Sequence, residues 1–400
     1  MISSGRLSGR TIALCVTGSV AAYKAAMVVR LLRKEGARVV PVMSATAEKF
    51  LGAATLSGLT GEEVLGDMFA VAGEAHVALG ASADAVVIAP ATADVLARLA
   101  QGRADDSITA LVLCAKGRVL AAPAMHPRMW THPATQRNVK ELEKLGRVEM
   151  VGPAVGAVAS GDEGPGRMAE PEAIVAAVVL ALTPKDLDGL RVVVTAGPTL
   201  EDMDPVRFLG NRSSGKMGFA IAERAAARGA SVVLVAGPVA LPTPPRVVRV
   251  DVRSALEMQA ELAKAALATD AIVMAAAVAD YRFQETKDAK VKKGGETISL
   301  ALTRNPDLLA ELGAARKGSR PILVGFALET GTRAEIVAEA RRKLREKKVD
   351  VVVANDARVA FGGEDNEISF VSENRDDRLP RAAKIDLADA LLDRIKSLLG

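Results

Sequence analysis

The chain has 400 residues, half of them apolar and only 3% aromatic, with a formal net charge of +4 from 52 basic and 48 acidic side chains. That balance excludes a disordered chain. Scarce aromatics and the absence of any run of five like charges exclude stacking platforms and basic arms for nucleic acid. Two cysteines, Cys15 and Cys114, leave no disulfide scaffold and no cysteine-rich metal site, and they fit a reducing cytosol. The N-terminus has no apolar h-region, and the apolar stretch Ala173–Leu182 is too short to span a bilayer, so a cytoplasmic protein with no membrane contact is expected.

At ~100–200 residues per domain, the length predicts two or three domains. Thr11–Thr17 is a continuous apolar run ending in Gly18 and reads as a strand buried on both faces. Ser19–Lys34 has helical spacing of Ala22, Ala26, Val29 and Leu32, Gly36 stops it, and Ala37–Met43 is the next strand. Ala83–Ala89 and Arg118–Ala122 are further strands with a helix at Ala93–Ala100 between them. Thr183–Gly189, rich in charge with Pro and Gly, separates this block from a second one. There Arg191–Thr195, Ser231–Ala236, Ala271–Ala275, Ile322–Phe326 and Val349–Ala354 read as strands, with a helix at Lys216–Arg228. Strands alternating with helices predict an α/β fold of parallel sheets with helices on both faces. We place the domains at residues 1–184 and 190–400, joined by a linker at 185–189.

Several stretches carry chemical potential. Gly18-Ser19-Val20-Ala21-Ala22 is a strand-to-helix turn, which reads either as an ordinary Ser-capped turn or as an anion site. It lacks GxGxxG, which argues against a nicotinamide site. Pro123–Trp130 gathers the only Trp with two Met and His126 after a strand, where open α/β sheets bind ligands. Gly161–Met168 holds three glycines and a proline and reads as a loop, either a lid or a surface connection. Gly210–Met217 nearly matches a P-loop, but Met217 stands where a Mg²⁺-binding hydroxyl belongs, which leaves a phosphate-type anion site at a helix start. Ala275–Ala277 would let a flat group approach the backbone, and Asp280 could accept hydrogen bonds from a base or sugar. Gln284–Glu296 is Lys-rich and polar, either a flap or a solvated loop. With no apolar anchor it is expected to order only around an anionic ligand.

In this order, NRSSGKMG (Asn211–Gly218), AAAVADY (Ala275–Tyr281), KVKK (Lys290–Lys293) and PAMHPRMW (Pro123–Trp130) resemble the bifunctional phosphopantothenoylcysteine decarboxylase/phosphopantothenate–cysteine ligase family of coenzyme A biosynthesis. The resemblance covers nearly the whole chain. It implies a flavodoxin-like, FMN-binding first half and a Rossmann-like, CTP-using second half. In the first half, Gly18, Ser19, Ser44, Thr46, Thr92, Asp105, Ser107 and Thr109 would cradle FMN, and His76 matches the active-site histidine. The implied chemistry is oxidation of the cysteine thiol to a thioaldehyde, loss of CO₂, and reduction of the resulting enethiol to 4′-phosphopantetheine. In the second half, CTP would activate 4′-phosphopantothenate as an acyl-cytidylate, which the amine of L-cysteine converts to the amide. Asn211 matches the residue that serves this conversion, and Lys290 matches a lysine over the nucleotide. Ala275, Ala276, Ala277, Asp280, Asn305, Pro306, Asp307, Leu308, Phe326, Lys343 and Lys347 match nucleotide contacts. Mg²⁺ is expected with CTP, as are homo-oligomers built from trimeric flavin domains and dimeric ligase domains.

Three positions depart from the family pattern. His126 stands where the family has an asparagine near the substrate carboxylate, and Asp94 where Asn is common. Ser160 stands where the family has the proton-donating cysteine, and a hydroxyl is a much weaker acid than a thiol. An alternative assignment follows, in which the first half binds FMN but scaffolds or regulates an active ligase.

Overall fold

In the computed structural model, Thr11–Val16 forms a strand, β1, buried at every residue after Thr11. The structure describes residues 5–68, 74–157, 161–292, 299–329, 331–356, 363 and 365–400. Successive β1 side chains enter different aliphatic layers: Ile12, Leu14 and Val16 on one face, Ala13 and Cys15 on the other. A strand covered on both faces needs apolar residues at every position, which is why the run is unbroken. Burial pushes the Cys15 thiol pKa up, so it behaves as a small core hydrophobe.

With β2 (Arg38–Met43), β3 (Ala85–Ala91), β4 (Arg118–Pro123) and β5 (Val148–Met150), β1 forms a parallel sheet in the order β2-β1-β3-β4-β5. Helices Ala25–Lys34 and Pro171–Leu182 cover one face. Helices Ala93–Ala100, Ser107–Cys114 and Pro133–Leu145 cover the other. The segment after Ser19 begins as a 3₁₀ turn, Val20–Lys24, before the α-helix starts at Ala25.

One expectation is overturned. The Gly161–Met168 stretch is not a loop along most of its length: β6 (Ala154–Ala157) and β7 (Glu163–Arg167) pair as an antiparallel hairpin. Its glycines serve close approach. A Cβ on Gly166, which has φ of 143°, would lie 2.4 Å from the Met125 carbonyl oxygen. The same strand meets Pro127 at Gly164. The hairpin therefore lies directly against the His126 turn.

A second compact unit runs from Pro184 to Gly400, the first ending at Thr183. Its strands are β8 (Arg191–Ala196), β9 (Leu200–Asp202), β10 (Phe208–Gly210), β11 (Ser231–Ala236), β12 (Val247–Asp251), β13 (Ala271–Met274), β14 (Tyr281–Phe283), β15 (Leu302–Arg304), β16 (Ile322–Glu329), β17 (Val351–Asp356), β18 (Asp365–Val371) and β19 (Asp376–Ala383). The main sheet has the order β12-β11-β8-β13-β16-β17-β18-β19. Its first six strands are parallel in the doubly wound order of dinucleotide-binding folds. Two antiparallel strands, β18 and β19, extend it beyond the parallel core. β9 with β10 and β14 with β15 form two small antiparallel hairpins off the sheet. No described helix is long and apolar enough to cross a membrane.

Candidate active sites

In an open parallel sheet, ligands collect outside the carboxyl ends of the strands where the winding direction reverses. In the first unit that point lies between β1 and β3. Gly18 and Ser19 follow β1, Ser44 and Thr46 follow β2, and Thr92 follows β3. Ser44 Oγ and Thr46 Oγ1 are 3.0 Å apart. Thr92 Oγ1 accepts from Val95 N at 3.3 Å, capping its helix, and lies 3.5 Å from Thr17 Oγ1. Ser19 Oγ accepts from Ala21 N at 3.3 Å. Hydroxyls on adjacent strand ends, beside helix-start amides, form a neutral donor set suited to a phosphate and a polyol.

The remaining first-unit candidates divide. Ser107 Oγ donates to the Gly66 carbonyl at 2.6 Å. Thr109 is fully buried and closes a capping box with Asp106. Asp105 pairs with Arg98 at 3.3 Å and with Arg103. Burial pushes the Asp106 carboxyl pKa up, but the Thr109 amide and Arg98 outweigh it and hold the group below the usual range. These three candidates thus have structural engagements of their own. His76 lines a small cavity with Asp67, Met68, Ser107 and Leu111. Asp94 pairs with Arg98 at 3.0 Å on the exposed side of its helix. Ser160 lies outside the described residues.

His126 caps the short helix Pro127–Trp130, its Nδ1 accepting from Arg128 N at 3.2 Å. Its Nε2 lies 2.8 Å from Asp162 Oδ2. An accepting Nδ1 places the proton of the neutral ring on Nε2, which donates to the carboxylate. The hairpin that glycine packs against this turn therefore delivers an imidazole–carboxylate pair to the sheet's carboxyl edge.

In the second unit a cleft of about 620 Å³ opens at the corresponding edge. Asn211–Gly218 forms one wall, Ala275–Asp280 the floor, and Asn305–Leu309 with Phe326 and Lys347 the far wall. Gly218 is required where its helix crosses β8, since a Cβ there would lie 2.6 Å from Ala196 Cβ. Two fully buried threonines set the floor: Thr195 Oγ1 accepts from Ala276 N at 3.1 Å and Thr199 Oγ1 from Ala279 N at 2.9 Å. Asn211 Nδ2 donates to the Val278 carbonyl at 2.9 Å and ties wall to floor.

Not every nucleotide candidate faces this cleft with a free group. Asn305 is buried, its Nδ2 donating to the Ala279 carbonyl at 2.8 Å and its Oδ1 accepting from Arg282 at 3.1 Å. Asp307 caps the helix Leu308–Ala315 and pairs with Lys347 at 2.9 Å. Burial pushes the Asp307 carboxyl pKa up, but Lys347 and the Ala310 amide bring it below the usual range. Lys343 and Lys290 do not line the cleft; among the described residues, the lysines that do are Lys216, Lys347 and Lys384. Lys216, Lys384, Asn355 and Asn366 line the cleft without having been singled out as nucleotide contacts from the sequence. A signal was present only for Asn355, which ends the apolar run Val351–Ala354; Asn366 stands among charged residues in β18 and has none.

The fold and these two edges define a two-module α/β enzyme, each module with a ligand site at its own switch point. Residues 1–183 match the family described as Flavoprotein, and residues 187–399 match the family described as DNA/pantothenate metabolism flavoprotein C-terminal domain. The coenzyme A biosynthesis bifunctional protein CoaBC of Vibrio cholerae is 42% identical over 97% of this chain and 98% of its own length. That of Mycobacterium bovis is 45% identical over 96% of each chain. A solved C-terminal domain of a coenzyme A biosynthesis bifunctional protein CoaBC aligns over 54% of this chain and 98% of its own, at 36% identity and a TM-score of 0.47. The chain belongs to the coenzyme A biosynthesis bifunctional protein family, a decarboxylase and a ligase in one polypeptide.

Proposed function

We propose that the second unit joins L-cysteine to 4′-phosphopantothenate at the expense of CTP, and that the first unit decarboxylates the product to 4′-phosphopantetheine with FMN. The observation that carries the ligase assignment is the cleft itself. It joins a Ser- and Gly-rich helix start, fit for phosphate, to a floor of small residues that admits a flat base to the backbone. The substrate carboxylate attacks the nucleotide's α-phosphorus and expels pyrophosphate. The amine of cysteine then attacks the acyl carbon, and CMP leaves as the amide forms. Asn211 stands between wall and floor, where it would direct that second attack. Lys216 and Lys347 supply positive charge for the phosphates. Among the described residues no group of three or more His, Cys, Asp or Glu side chains could hold a metal ion. Mg²⁺ would travel on the triphosphate; the exposed carboxylates of the cleft are Asp280 and Asp307, the latter paired with Lys347.

The first-unit edge fits FMN through its hydroxyl set: Ser19, Ser44, Thr46 and Thr92 would hold phosphate and ribityl oxygens. Bound FMN supplies the two-electron chemistry that makes loss of CO₂ feasible. His126, held by Asp162, would orient the substrate carboxyl group where the family uses an amide. Exposed Val206, Phe208, Leu209, Tyr281 and Leu302 on the two small hairpins support a dimer through the second unit. Exposed Val20, Tyr23, Met27 and Phe50 support self-association through the first.

The test is incubation with 4′-phosphopantothenate, cysteine, CTP and Mg²⁺, followed by mass analysis of products. 4′-Phosphopantetheine is expected. Accumulated phosphopantothenoylcysteine would confine activity to the ligase and favour a scaffolding first unit.

A further inference from the structure

The expectation that the Lys290 loop orders only around a ligand does not hold for its described part. The described part, residues 284–292, is fastened to the end of β9 and the turn before β10 by four hydrogen bonds at three loop residues, Thr286, Lys287 and Val291. Thr286 Oγ1 donates to the Asp202 carbonyl at 3.0 Å, and Lys287 N donates to the Met203 carbonyl at 2.9 Å. Val291 N donates to Asp204 Oδ2 at 3.1 Å, while Arg207 Nη2 donates to the Val291 carbonyl at 3.3 Å. Asp204 is the centre of this arrangement. It is 1% exposed in a stretch whose next two residues are open to solvent. Its Oδ1 accepts from Val206 N and Arg207 N, both at 2.8 Å, which shapes the turn. Its other oxygen is left for the loop, with the Arg207 guanidinium 3.8 Å away. A buried carboxylate is costly unless satisfied, so burial here selects the geometry in which both oxygens are used. The strand leaving that turn, β10, ends at Gly210, and the next residue is Asn211.

We propose that Asp204 is a positioning residue of the ligase, whose two carboxylate oxygens lock the Lys290 loop onto the hairpin that carries Asn211. The proposal rests on the ligase role assigned to Lys290. The clasp fixes the backbone on both sides of Lys290, which does not line the cleft in this arrangement, so the lysine would reach the nucleotide by its side chain and not by a swing of the described loop.

Asp204→Asn tests it with little change in size. The amide oxygen can still serve the Val206 and Arg207 amides, but its NH₂ then meets the Val291 N–H, donor against donor. Losing one charge-assisted hydrogen bond raises loop opening ~10- to 100-fold. Trypsin cleavage at Lys287, Lys290 and Lys292 should accelerate by that factor. The KM for CTP in amide formation should rise about tenfold or more. The same measurements are made on Lys290→Gln and on the double variant. If the clasp acts through the lysine, Asp204→Asn changes the kinetics little once Lys290 is Gln. Equal kinetic effects in both backgrounds would overturn the proposal, as would unchanged cleavage. A normal Lys290→Gln enzyme would refute the role of Lys290 instead. Should Asp204→Asn fail to fold, Thr286→Val deletes another loop-side donor of the clasp at nearly constant size and carries the same measurements.

Discussion

Asn211 does two jobs with one side chain. Its amide nitrogen holds the floor of the ligase cleft, and its position at the end of β10 puts it beside the helix start that would bind phosphate. Asn211→Asp replaces that donor with an oxygen facing the Val278 carbonyl and adds repulsion toward anionic substrates. Amide formation should fall ~10²-fold or more, with an acyl-cytidylate detectable by mass. A rate within twofold of wild type would remove Asn211 from the role. The residue was legible in the sequence because glycine, serine and basic side chains crowd around it. Thr195, Thr199 and Asp204 were not. Each is an ordinary residue near the end of a short strand, and its function comes from which backbone amide folding brings to it, hundreds of alternatives being equal in a linear reading. Lys343 shows the converse. The resemblance names it with Lys347 as a nucleotide contact, yet only Lys347 lines the cleft.

Elements with two covered faces announce themselves, and those with one or none do not. The unbroken apolar runs gave β1, β8, β11 and β13 to within a residue or two, because burial on both faces leaves a local imprint. β18 and β19 carry charge along their length and pair antiparallel at the sheet's edge, so nothing local marks them as its continuation. β7 was obscured by its glycines, which are there because of what the strand touches. Gly166→Ala would place a methyl against the Met125 carbonyl and impose a disfavoured φ, at a cost of ~1–3 kcal/mol. The His126–Asp162 pair should separate. CO₂ release from supplied phosphopantothenoylcysteine should then drop while CTP-dependent amide formation is retained.

At the scale of the molecule, the site assignments are modular. Lys290→Gln should lower amide formation about tenfold to a hundredfold and leave decarboxylation of supplied phosphopantothenoylcysteine unchanged. Equal loss of both would refute the two-module assignment. The second unit also carries its own acid sensitivity. Asp186 pairs with Arg228 at 2.8 Å and with Lys396 at 2.9 Å, and these cations, Arg228 foremost, hold its carboxyl pKa down to about 2. A depressed folded pKa contributes stability above the unfolded value, near 4, that is lost as pH falls from there toward 2. Asp186→Asn should cost about 1–2 kcal/mol at pH 7 after allowance for solvent screening. Urea midpoints of variant and parent should converge as pH drops toward 2. The helix Lys384–Leu399 has a further consequence. Leu387, Leu391, Leu392 and Ile395 fill the same aliphatic layer as Val192 and Val194 of β8, and Arg224 reaches Asp389 at 2.8 Å. On the ribosome, β8, the first strand of this unit, emerges long before the helix that covers it. The first unit is closed by Pro171–Leu182 before β8 is even translated, so it can fold and load its ligand during synthesis. The core of the second unit cannot close until Lys384–Leu399 has emerged, so the two modules are completed in the reverse of the order in which their activities act.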